Sequence, residues 1–138
     1  GVTCIAGNLG GAVRLPFGSA KFIQALHGGG AAGCPACGFL FEMGGKTIYH
    51  AGDTALTLDM ALLEDAHIDA ALLPIGDFYT MGPADALRAV KLIKPQLTIP
   101  MHYDTFPAIA QDPAAFADAC QAAGYAARVL QPGEKITL

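Results

Sequence analysis

The hydrophobic positions change their period at about the middle of the chain. Before Asp53 they alternate, or run in short stretches of the kind that form strands. Val2–Ile5 is a brief apolar run ended by Ala6-Gly7-Asn8. Ala12–Leu15 is a short strand pattern closed by Pro16 and Gly18. Ala20–His27 is another, opening into His27-Gly28-Gly29-Gly30. Cys37–Met43 and Lys46–His50 flank Gly44-Gly45, the clearest hairpin pattern in the chain. After Asp53 the spacing lengthens. Leu56, Met60, Leu63 and Ala66 fit one face of a helix, and Ala70–Leu73 reads as a buried strand broken by Pro74 and Gly76. Pro83 stands where a helix begins, with Ala86, Leu87, Val90 and Ile93 on its apolar face, and Lys94-Pro95 stops it. Leu97–Met101 predicts a further buried strand that ends at His102. Asp112-Pro113 caps a helix over Ala114–Ala123, closed by Gly124. Arg128–Leu130 and Lys135–Leu138 finish the chain around a Pro-Gly turn.

Hairpins followed by αβ units predict a single α/β domain over residues 1–138, with helices layered on a sheet. Composition sharpens this. The chain is 53% hydrophobic and only 14% charged, against about 25% charged in ordinary soluble domains. Such a chain either has a large core or covers the surface of a partner. The net charge is −4 and the eight Lys and Arg are scattered, so no basic stripe suggests nucleic acid. No apolar run approaches the ~18 residues of a membrane span. Gly1 is not followed by a charged and then apolar leader, and four cysteines do not make a disulfide scaffold. A reduced, cytoplasmic setting is the expectation.

Three residues share one topological position. His27, Asp53 and His102 each follow a predicted strand, where a rigid element aims whatever side chain it carries. Imidazole and carboxylate are a ligand set for zinc and related divalent metals. Asp53 alone equally suits a turn or a helix N-cap, and scattered histidines equally suit structural roles. Asp77, Tyr79 and Thr80 lie on the loop after Ala70–Leu73, and Tyr103 and Asp104 follow His102; each fits a contact to substrate or ligand as well as it fits a turn. His50 precedes Asp53 by three residues and strand alternation turns it away, which favours a supporting or packing role. His67 falls at a helix end, where a cation suits the dipole. Cys34-Pro-Ala-Cys37 resembles half a zinc knuckle with no second pair in register.

The order of five segments carries a resemblance: His27-Gly-Gly-Gly, then GGKTIYHAGDT, LLPIGDFYTMGP, KPQLTIPMHYDTFP and a terminal LQPGE. Together they resemble the C-terminal half of the metal-dependent hydrolases of the metallo-β-lactamase superfamily, nearest to a small bacterial family akin to the ascorbate-phosphate lactonase branch. The resemblance implies a four-layer αββα sandwich with the metals between two sheets at one edge. It implies that His27 completes the ligands of a first metal, Asp53 bridges two metals and His102 binds the second. It implies two divalent ions, zinc first and manganese or iron as alternatives, with a hydroxide on them as nucleophile. The superfamily's His-x-His-x-Asp-His motif is absent, since the histidines stand at 27, 50, 67 and 102. The resemblance therefore implies a half-domain that needs its N-terminal complement, or another copy of the chain, to complete the site.

The leading expectation is hydrolysis of an ester, lactone or phosphate bond in a small-molecule substrate, with this chain alone inactive. The rival is a non-catalytic binding or scaffold half-domain without a complete metal site. A nuclease relative is disfavoured by the acidic balance and the missing basic groove.

Overall fold

The computed structural model describes residues 1–2, 4–29 and 34–138. Thr3 in the Val2–Ile5 run and Gly30 of the triglycine lie outside the described residues. Six strands form one sheet in chain order: β1 Ala12–Leu15, β2 Gly18–Gln24, β3 Cys37–Met43, β4 Lys46–His50, β5 Ala70–Pro74 and β6 Leu97–Met101. The first four pair antiparallel and the last two join in parallel. Consequently β2, β4, β5 and β6 all run in one direction, and their C-terminal ends share one edge. The β3–β4 turn is the expected glycine hairpin: Gly44 and Gly45 have φ 58° and 76°, the left-handed pair that matches strand twist.

Alternation along the strands separates two faces. Leu40, Tyr49, Ala71 and Leu73 point to the helical side, where they join Val90, Ile93 and Phe116 in the core. That side carries α1 (Pro83–Ile93) and α2 (Pro113–Ala122). Pro83 occupies the first turn of α1, and Asp112 Oδ1 caps α2 by accepting from the amides of Ala114 and Ala115 at 2.9 and 3.0 Å. The other face presents Phe22, Phe39, Phe41, Ile48 and Leu72, all half-buried and none in the helical core. Phe39 lies between Phe22 and Phe41, with ring centroids 5.2 and 5.6 Å away.

Several expectations shift. Leu58–Ala66 winds as 3₁₀ rather than α-helix, although Met60 and Leu63 do face the core. Met60, Leu63 and Ala66 recur every third residue, which is the 3₁₀ repeat. β2 stops at Gln24, so His27 lies three residues beyond it. Neither Arg128–Leu130 nor Lys135–Leu138 forms a strand; one parallel bridge, Thr98 to Ala127, touches the sheet there. The described residues hold one sheet, so the expected four-layer arrangement with two sheets is not present among them. Among the described residues, no helix is long and apolar enough to cross a membrane.

Asp69 fixes where β5 starts beside β4. Its carboxylate accepts from Lys46 Nζ at 2.8 Å and from the Thr47 amide at 2.9 Å. The Lys46 bond, seconded by the Thr47 amide, holds the Asp69 carboxyl below its ordinary value of 3.8. The folded chain thus favours the charged carboxylate. The stability this supplies is complete above 3.8 and is lost as pH falls below it. Asp69→Asn is expected to lower Tm at pH 7, and the deficit against wild type to shrink steadily in melts taken below pH 4, roughly the unperturbed Asp value.

Candidate metal-binding edge

The co-directional strands bring β2, β4, β5 and β6 to a common edge, where open α/β sheets ordinarily bind ligands. Asp53 is presented there by a turn made in three steps. His50 ends β4, and its Nδ1 accepts a hydrogen bond from the Gly52 amide at 3.1 Å. Gly52 takes φ 64°, and a Cβ on it would stand 2.8 Å from the Cys37 carbonyl, so only glycine makes the turn without displacement. Asp53 then projects outward and half-exposed. Thr54 turns inward, 1% exposed. Its hydroxyl accepts from the Leu26 amide at 3.0 Å and donates to the Ala55 carbonyl at 2.8 Å. The Ala55 amide returns a bond to the Leu26 carbonyl, and the Met81 amide donates to the Thr54 carbonyl. One residue therefore ties the exits of β2 and β4 and the loop after β5.

His102 reaches Asp53 from the far side of β5. Strands two places apart lie about 9–10 Å from each other, so the imidazole must fold across the end of β5. Two features permit this. His102 adopts a left-handed backbone, φ 56°. The residue beneath it is Gly76, where a Cβ would stand 2.2 Å from the His102 carbonyl oxygen and 3.1 Å from Nδ1. The result sets His102 Nε2 3.5 Å from Asp53 Oδ2. That is longer than a good hydrogen bond of about 2.7–3.2 Å. It matches two ligands on one tetrahedral ion, whose ~2.0–2.2 Å bonds place the donor atoms roughly 3.3–3.5 Å apart. His102 Nδ1 is buried, so Nε2, which faces Asp53, is the accessible ring nitrogen.

His27 stands on the neighbouring exit, brought in by the Leu26–Thr54 bonds. Its side chain is exposed, and Nδ1 pairs with the Gly28 carbonyl at 2.9 Å. A ring that donates there keeps a lone pair at Nε2, the form in which imidazole binds metal. It does not join Asp53 and His102: among the described residues no three His, Cys, Asp or Glu side chains converge on one point. The donor set thus fits a divalent ion as part of a coordination sphere, two groups of the four that zinc usually takes.

The loop after β5 is held by bonds from the Asp77 amide to the Met81 carbonyl at 3.0 Å and from the Thr80 amide to the Asp77 carbonyl at 2.9 Å. Thr80 Oγ1 donates to the Met81 carbonyl, while Tyr79 is exposed. After β6, burial and the neighbouring Asp104 carboxylate raise the Tyr103 hydroxyl above its ordinary value, so it stands protonated at neutral pH. Asp104 Oδ1 accepts from the Gln111 amide. His67 caps the 3₁₀ segment in a left-handed conformation, remote in sequence from these loops. Cys34 and Cys37 are free thiols, and burial pushes the Cys120 thiol to about 11, which removes it from reactivity. Two cavities, of 380 and 580 Å³, open along the 3₁₀ segment, and neither is lined by Asp53 or His102. Sequence reasoning missed Thr54 and Gly76. Both sit directly beside residues it named, but their roles rest on partners 28 and 26 positions away.

Comparison with known proteins identifies the family of the chain. Residues 18–102 match the family described as the Beta-lactamase superfamily domain. The chain is 52% identical over 135 residues to a UPF0173 metal-dependent hydrolase of Symbiobacterium thermophilum, covering 94% of this chain and 60% of that protein. It is 46% identical over 142 residues to one from Thermus thermophilus, covering 100% and 63%. The chain therefore spans less than two thirds of the length of these relatives. Among solved structures it is similar to Igni18, a metallo hydrolase of the archaeon Ignicoccus hospitalis, with TM-score 0.88, 39% identity, and 96% and 59% coverage. A metallo-β-lactamase fold protein of Bacillus subtilis shares the fold alone, with TM-score 0.75, 12% identity, and 94% and 54% coverage.

Two substitutions test the scaffold of this edge. Thr54→Val keeps the shape but strands the Leu26 amide; urea unfolding is expected to show a loss of about 1–3 kcal/mol, the cost of a buried donor without an acceptor. Thr54→Ser should recover most of it. Gly76→Ala is expected to cost about 1–3 kcal/mol as an overpacked site and to move the His102 ring resonances in NMR spectra.

Proposed function

Because the chain belongs to the β-lactamase superfamily, in its metallo-β-lactamase fold, we propose that it forms the metal-binding C-terminal part of a metal-dependent hydrolase. The single observation that carries this is the approach of His102 Nε2 and Asp53 Oδ2 to 3.5 Å, an ion-pair distance longer than a good hydrogen bond and suited to a shared ion. When bound, a divalent metal supplies Lewis acidity toward a carbonyl or phosphoryl oxygen and a lowered pKa for a water ligand.

The chain's own residues do the remaining work in this reading. Asp53 would supply a carboxylate, and His102 its Nε2, to a bound divalent metal. His27, with its Nε2 unencumbered, turns in as a ligand when a second group approaches. His50 holds the turn that aims Asp53. Tyr103, next to His102 in the chain, packs against the core, and burial with the neighbouring Asp104 raises its hydroxyl above the ordinary value. Zinc suits this mixed imidazole and carboxylate set, with manganese or iron as alternatives. The bond broken is an ester, lactone or phosphate bond of a small molecule.

The half-buried aromatic face of the sheet supports the finer fold. Phe22, Phe39, Phe41, Ile48 and Leu72 present an apolar surface of the type that packs against a second sheet at about 10 Å. A second sheet laid there gives the four-layer sandwich and carries the missing histidine ligands. It belongs to the further length present in the relatives or to another copy of the chain. A cytoplasmic location fits the free thiols.

The test is direct. Zinc competition against a chromogenic chelator, with metal counted by mass spectrometry, should show affinity falling at least about 10-fold in both Asp53→Asn and His102→Ala. Unchanged affinity and metal content in both variants would sink this reading and favour the binding or scaffold half-domain.

A further inference from the structure

The loops that follow β5 and β6 carry a group of aromatic side chains that the core does not use. Phe78, Tyr79 and Phe106 are 71%, 54% and 44% exposed. They are not scattered. Phe78 and Tyr79 meet edge to face with centroids 4.7 Å apart, and Tyr79 and Phe106 lie 6.1 Å apart. Phe78 and Tyr79 come from the loop after β5, and Phe106 comes from the loop after β6.

Both loops begin at the metal-binding edge. The first leaves Gly76, which lies against the His102 carbonyl, and its far end is tied back by the Met81 amide to the carbonyl of Thr54, next to Asp53. The second leaves His102 itself. The shelf is therefore the rim of the same edge. Folding alone does not explain it. Asp77 and Phe78 hold φ 58° and 43°, left-handed angles that bulky residues rarely adopt. This unfavourable backbone leaves a phenyl ring in water, where burial would be favourable. Both departures from ordinary stability fall on Phe78, in the loop that leaves Gly76, and strained backbone is known to collect at functional sites.

Charge selects the occupant. Residues 76–82 and 102–112 contain Asp77, Asp104 and Asp112 and no Lys or Arg. An anionic tail finds no cationic side chain on these loops, whereas an uncharged flat ring finds three aromatic partners. We infer that Phe78, Tyr79 and Phe106 form an aryl-binding shelf, and that the substrates of this edge carry a neutral aromatic group next to the bond that is broken. The inference rests on the reading of His102 and Asp53 as the reacting centre. It narrows that reading away from substrates whose recognition depends on a remote phosphate.

The experiment has two arms, using the full protein with its metal. In the first, kcat/KM is measured by pH-stat titration for methyl phenylacetate and methyl acetate, which share a leaving group that carries no ring. Phe78→Ser and Phe106→Ser should each lower the phenylacetate-to-acetate ratio about tenfold, the discrimination of a lost apolar contact, with acetate turnover and metal content unchanged. Tyr79→Phe should retain the ratio. In the second arm, benzyl alcohol is titrated and followed by NMR at the three rings, a readout independent of hydrolysis. Ring-current shifts in wild type that vanish in Phe78→Ser support the shelf even if neither ester is turned over, an outcome that would remove only the hydrolase reading. A ratio unmoved by either serine variant, or an absence of shifts because another segment or a second copy covers the rings, overturns the shelf.

Discussion

The hydrogen bonds of one buried threonine hold this edge together. Thr54 spends its hydroxyl on Leu26 and Ala55 and its carbonyl on Met81, so three strand exits are registered against a single residue. Buried polar groups must be paired, and here each pairing also fixes a loop. The exit of β2 carries His27, the exit of β4 carries Asp53, and the loop after β5 carries Phe78 and Tyr79. Their relative positions follow from one set of matched donors and acceptors rather than from three independent turns.

The second constraint is the absence of a side chain at Gly76. The parallel strands place Asp53 and His102 on either side of β5, farther apart than a shared ligand allows. The bare α-carbon gives the imidazole a path over the end of the intervening strand. What looks in the chain like a glycine interrupting an apolar run is the opening through which the two groups meet. The metal-dependent hydrolases to which the chain is similar are longer than it is. The two-donor edge and the uncovered aromatic face are consistent with that difference in length.

Much of this fold is legible along the chain. The hairpin at Gly44-Gly45, the Pro-initiated helices and the buried strands ending at Pro74 and Met101 follow from turn chemistry and period, which are local. The 3₁₀ winding of Leu58–Ala66 is written in its three-residue spacing, which a helix-face reading absorbs as a near match. The tail after Gly124 looks extended, yet it contributes a single bridge, because pairing is decided by partners and not by the run itself. His27, Asp53 and His102 were identified as strand-exit residues, and the shared direction of β2, β4 and β6 explains their common edge. The side chain of His27 nonetheless stays apart from the other two. Nothing near Thr54 or Phe106 in the chain announces their roles, since each acts through a neighbour brought close only by folding.

Among the described residues, four of the six non-glycine positions with left-handed backbone, Asp77, Phe78, His102 and Asp104, belong to the two loops at this edge. A loop built from such angles has few alternative conformations of similar energy, because the surrounding hydrogen bonds select the rare one. Those angles and hydrogen bonds set the shape of the edge in this structure without a ligand. Association then costs little conformational entropy on the protein side, and the shape of the ligand must conform to the rim instead of moulding it. Discrimination at such a site is exercised at the moment of encounter, as with a rigid gauge, and not through closure of a lid.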